Sequence, residues 1–79
     1  MWWYFRKNDE NEEYIEYLYA RESRDTDGIV RYYKKNHEAE CIRACTKDMD
    51  SEFSANVAAE KLYYLEDDGF PDECQIACG

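Results

Sequence analysis

Residues 51–71, SEFSANVAAEKLYYLEDDGFP, carry a full set of helix punctuation and divide the chain into two unlike parts. Asp50 or Ser51 is a favourable N-cap, and Glu52 falls in the first turn, where the positive end of the helix dipole accepts an acid. Phe53, Val57, Ala58, Leu62 and Leu65 recur at helical spacing and form one apolar stripe. Gly69 is placed to adopt the left-handed conformation just past the last turn. Phe70 can then fold back onto Leu65 or Leu62, and Pro71 forbids continuation. The spacing predicts one helix over about 51–67.

Upstream the pattern changes. YIEYLYARES (14–23) and GIVRYYKKN (28–36) are rich in β-branched and aromatic residues, as half-buried strands are. Between them lies RDTDG, whose Asp-Gly is a strong short-range hairpin signal. A second polar break, KKNHE, precedes AECIRAC. Strands are predicted near 2–7, 14–22, 28–35, 39–46 and, after the helix, 73–78. Residues 10–22 send mixed signals: Asp9 or Asn11 followed by acids could start a helix, whereas the aromatics favour the strand taken here. The expected fold is a single α+β domain over 1–79, a small antiparallel β-meander of four or five strands with one helix packed on one face. RESRDTDGIVRYYKK, followed by a capped helix and GFPDE, resembles short uncharacterised bacterial proteins with the same hairpin, helix and Gly-Phe-Pro turn. That resemblance implies a topology and no activity.

Length and charge narrow the function classes. Seventy-nine residues make one domain with a modest core and little room for a deep catalytic cavity. Apolar residues at 44% and aromatics at 16% nevertheless exclude a disordered tail. The net charge of −9 repels nucleic acid and anionic membranes. Residues 51–79 hold seven acids against Lys61 alone, while 21–37 are net positive. MWWYFRKND lacks the basic start, apolar run and cleavage site of a secretory signal, and no apolar run is long enough to span a bilayer. A cytoplasmic location is expected, with reduced thiols.

All four cysteines lie in two copies of one frame, Glu-Cys-x-x-Ala-Cys, at 40–45 and 73–78. On strands, cysteines four apart point to one face but stand roughly 13 Å apart, too far to share one ion. A Cys41, Cys45, Cys74 and Cys78 metal site is therefore the lesser reading, and no cofactor is expected. If the frames were neighbouring strands, disulfides or redox use would be open. The preferred reading is four small packing thiols beside alanine.

Other catalytic signals are missing. His37 sits in a polar turn beside two lysines. SRDTDG places Ser23, Asp25 and Asp27 like the first ligands of a calcium loop, but Lys34 occupies the position that requires a bidentate Glu. P-loop, GxGxxG, HExxH and GxSxG patterns are absent from the sequence. Arg21, Arg24, Arg31, Lys34 and Lys35 surround Tyr32 and Tyr33, which could suit single-stranded nucleic acid, although the overall charge opposes it. The sharpest departure from local rules is LEDDGFPDE: Glu66, Asp67 and Asp68 crowd the negative end of a helix, with Phe70, Asp72 and Glu73 following. No catalytic residue is assigned. The expected function is a non-enzymatic interaction module whose acidic helix end and aromatic surface dock a basic protein. Alternatives are a nucleic-acid-mimicking inhibitor of a DNA-binding enzyme and a small Cys-based redox or metal protein. Self-association is expected through WWYF, on the premise that a terminal apolar strand pairs at an edge.

Overall fold

Alternation along the strands builds two sheet faces, and one of them carries the core. The computed structural model describes residues 2–46 and 51–77, the first four helical residues by their backbone alone. Along the chain run β1 (Trp2–Glu10), β2 (Tyr14–Arg21), β3 (Gly28–Tyr33), β4 (Glu38–Arg43), α1 (Ser51–Asp67) and β5 (Glu73–Ala77). The strands form one antiparallel sheet in the order β4-β3-β2-β1-β5. Trp3, Phe5, Ile15, Tyr17, Tyr19, Val30 and Tyr32 project to one face and are buried against Ala58, Leu62 and Leu65. The helix lies across β3 and β4. This is the small α+β fold expected, and the helix spans 51–67 as its punctuation indicates. The N-cap assigned to Asp50 or Ser51 and the side chain of Phe53 fall outside the described residues.

Residues 14–21 are a strand. Asn11, one of the two candidate helix caps, caps a hairpin turn instead. Its Oδ1 accepts from the backbone N–H of Glu13 at 2.8 Å and of Tyr14 at 3.0 Å. The same side-chain chemistry serves both structures, and the aromatic alternation that follows decides which one forms.

Several boundaries differ from expectation for physical reasons. The β2–β3 hairpin is real, but Asp27-Gly28 is not a two-residue turn, because residues 22–27 form a longer loop. Asp27 accepts from the Thr46 hydroxyl and, at 3.2 Å, from Thr46 N–H, while Arg43 Nε donates to its carbonyl at 2.9 Å. Those bonds hold the segment after β4, which ends at Arg43 and not at 46. Cys45 thus leaves the strand and turns into the core.

The topology is also not a plain meander. β5 returns to pair with β1, so Trp2–Arg6 lie between two strands: Trp3 faces Arg21 on one side and Ile76 on the other. The WWYF segment is an inner strand, and the edge pairing expected of it is already satisfied within the chain. On the helix-free face, buried Glu16 accepts from Asn8 Nδ2 at 2.7 Å and from Arg31 Nε at 2.8 Å. Arg31 also stacks on the Tyr14 ring at 4.3 Å. Among the described residues, no helix is long and apolar enough to cross a membrane.

Candidate functional site

The last turn of α1 sets the geometry of the acidic end. Phe70 N–H donates to Leu65 C=O at 2.8 Å and Gly69 N–H to Glu66 C=O at 3.0 Å, the paired bonds of a Schellman stop. Gly69 takes φ 79°, and Phe70 follows at φ 55°, a value rare for a bulky side chain. Phe70 holds it because its ring packs on Tyr32, with centroids 5.1 Å apart. Phe70, grouped with the acids as docking surface, folds back as the helix stop predicts and is half-buried against the core.

Tyr32 is the hub of this end. Its ring is buried between Phe70 and Tyr63, and its hydroxyl donates to Glu66. The same hydroxyl lies 2.8 Å from His37 Nδ1. With the phenol proton committed to Glu66, His37 Nδ1 acts as the donor in that pair. Burial and then the Glu66 hydrogen bond push the Tyr32 phenol up to about 12. His37 occupies the β3–β4 turn with φ 54° and stands 3.5 Å from Glu66. This Tyr32–His37–Glu66 triangle was not anticipated from the sequence. Only the docking of the helix brings Glu66 to β3, and nothing in the local sequence encodes that placement.

The six residues assigned to partner binding therefore divide. Glu66 and Phe70 tie the helix end to the sheet. Asp67 and Asp68 are exposed, Asp72 is 95% exposed with Lys7 Nζ at 3.7 Å, and Glu73 is exposed at the start of β5. Burial and a hydrogen bond with Glu73 push the Tyr4 phenol up. Burial and then the charge of Asp68 push the Cys74 thiol up. The last helical turn holds no basic residue. One turn back, Tyr64 is 60% exposed and Tyr63 41%. Exposed aromatic surface next to the acids thus comes from these tyrosines. At the other end of the helix, Asp50 and the Glu52 side chain lie outside the described residues.

The two cysteine frames are not neighbours. Cys41 is on β4 and Cys74 on β5, at opposite edges of the sheet. Four strand spacings separate them, roughly 19 Å at ~4.8 Å each. The cross-frame disulfides considered from sequence need adjacent strands, so this sheet order removes Cys41–Cys74 pairing. Cys41, Cys45 and Cys74 are thiols. Cys41 Sγ lies 3.8 Å from the Tyr19 hydroxyl, which accepts from Cys45 N–H at 3.1 Å. Cys78 lies outside the described residues, and among those described no three His, Cys, Asp or Glu side chains are grouped to hold a metal.

The basic residues near Tyr32 and Tyr33 do not form a stacking platform with Tyr32, which is buried under the helix. Arg31 pairs with Glu16, Lys34 Nζ reaches Glu10 at 3.3 Å, and Arg24 lies over Tyr4 at 5.2 Å. No protein-family model matches the sequence, and no curated protein or solved structure matches the chain.

Proposed function

We propose that this chain is a non-enzymatic interaction module that docks a basic protein surface through the acidic end of α1. The observation that carries the reading is the exposure of Asp67, Asp68 and Asp72 at a helix end that has no basic residue in its last turn. Carboxylates there add to the negative end of the helix dipole, an arrangement that lowers helix stability and raises local negative potential. The Schellman stop and the Tyr32–Glu66 bond hold the end in one geometry, which limits the ordering cost of docking. Tyr63 and Tyr64 supply aromatic area of the kind enriched at interfaces. Complementary charge of this sort accelerates encounter and is weakened by salt.

The test compares two fourfold-neutralised variants against a lysine-rich protein surface. One carries D67N, D68N, D72N and E73Q; the other carries E12Q, E13Q, E22Q and E60Q, which remove the same charge from exposed positions elsewhere. Loss of salt-sensitive binding in the first variant alone supports a site at the helix end. Equal loss in both means that only the net charge matters and removes the proposal.

A further inference from the structure

The two edges of the sheet are finished differently. At β4, Ala39 N–H donates to the Tyr63 hydroxyl of α1 at 3.2 Å, and the helix lies along that side. A bulge between Ile29 and Val30 also shifts the β3–β4 ladder. Covering elements and bulges are devices that close an edge to further strands. At β5, no strand among the described residues pairs on the outer side. The strand carries neither the lysine nor the proline that often blunts an edge.

Register shows which groups are on offer. Lys7 N–H donates to Asp72 C=O at 2.8 Å, continuing the β1–β5 ladder by one residue. In an antiparallel pair the hydrogen-bonded positions alternate, so Asp72, Cys74 and Ile76 turn their backbone groups toward β1. Glu73, Gln75 and Ala77 turn theirs outward. The side chains alternate as well. Cys74 and Ile76 are half-buried against the core, while Glu73, Gln75 and Ala77 are exposed. Asp72 stands at the start of this edge, with Lys7 Nζ at 3.7 Å.

We infer that β5 is a strand-addition edge for an extended basic segment of a partner protein. Lysine or arginine side chains would lie on the face of Glu73, and apolar residues at alternate positions on the opposite face, beside Cys74 and Ile76. The inference rests on the basic-partner reading above and adds its mode: main-chain bonds to Glu73, Gln75 and Ala77 give affinity, and alternating side chains set register. A second copy of this chain fits less well, because each copy carries −9.

The test titrates short peptides into the full isotope-labelled chain while amide shifts and hydrogen exchange are followed. A peptide alternating lysine and valine is expected to shift Glu73, Gln75 and Ala77 and to slow exchange of their amides. A glutamate–valine peptide should do neither. Methylating the backbone nitrogens of the valines in one peptide, and of the lysines in another, blocks opposite edges of the added strand. One methylated peptide should bind roughly tenfold weaker or worse, the size of one or two lost hydrogen bonds, and the other should bind like the parent. Equal binding of both, with shifts at Asp67 and Asp68 and none in β5, overturns strand addition and leaves docking by charge intact. No β5 response to the lysine–valine peptide also overturns the inference; the neutralised variants above then judge the docking site separately. Shifts in β5 that track protein concentration without peptide make the occupant a second copy and overturn the partner assigned here.

Discussion

Tyr19 and Gly28 are cross-strand partners, and the Tyr19 ring fills the space that a side chain at 28 would need. A Cβ built on Gly28 would stand 2.3 Å from Tyr19 Cε1. The glycine is required by close approach rather than by backbone conformation. Gly28→Ala must displace a fully buried ring whose hydroxyl also accepts from Cys45 N–H. The expected cost is about 1–3 kcal/mol, as for other overpacked cores. Urea unfolding should show a lower midpoint with little change in slope. A midpoint equal to that of the parent would mean the ring has room to move.

The bond from Tyr32 to Glu66 gives an alkaline signature. The phenol is raised in the folded state, so its contribution to stability is complete below its ordinary value of 10.0 and is lost as pH rises through about 12. Tyr32→Phe should cost on the order of 1 kcal/mol near neutral pH and should reduce the fall in stability across that alkaline window. Burial raises Tyr17 and Tyr19 as well, so part of the fall should persist. A double-mutant cycle with Glu66→Gln checks the pairing. A coupling of at least ~0.5 kcal/mol is expected, and additive effects would show that the two groups do not interact.

Glu16 acts at the other end of the pH scale. Burial alone would raise its carboxyl, but hydrogen bonds from Asn8 and Arg31 outweigh that and hold it below its ordinary 4.5. A depressed carboxyl contributes stability above 4.5 that is lost as pH falls through the folded value. Glu16→Gln keeps the shape, weakens two charge-assisted bonds and leaves Arg31 without its counter-charge. The expected loss is about 1–3 kcal/mol near neutral pH, shrinking toward pH ~3. Denaturant midpoints at the two pH values measure it. A loss independent of pH would point to packing alone.

These positions mark where the sequence was informative. Gly69, Phe70 and Pro71 act within one turn of the residues they stop, so the end of α1 could be read locally. Alternating aromatics marked β2 for the same reason. Placement across the sheet was harder. Whether β5 joins β4 or β1 is decided by which edge α1 leaves open, and that choice separates Cys41 from Cys74. Glu66 meets Tyr32 and His37 only once the helix has docked. Gly28 was legible as a glycine with a special role, but Asp-Gly suggested a tight turn when the requirement was room for the Tyr19 ring.

Asp68 and Cys74 offer a chemical readout of the acidic end. The Cys74 thiol is raised first by burial and then by the Asp68 carboxylate, and alkylation proceeds through the thiolate. Removing that charge with Asp68→Asn should increase the thiolate fraction and speed alkylation of Cys74 by a few-fold. Cys41, at the far edge of the sheet, should react at its parent rate. Cys45 is 3% exposed and should be modified only after the half-exposed Cys41 and Cys74. Pulsed alkylation followed by peptide mass analysis resolves all three sites in one experiment. An unchanged Cys74 rate in the variant would show that the Asp68 charge does not act on the Cys74 thiol. Equal acceleration of Cys41 would instead mean that the substitution loosens the whole sheet.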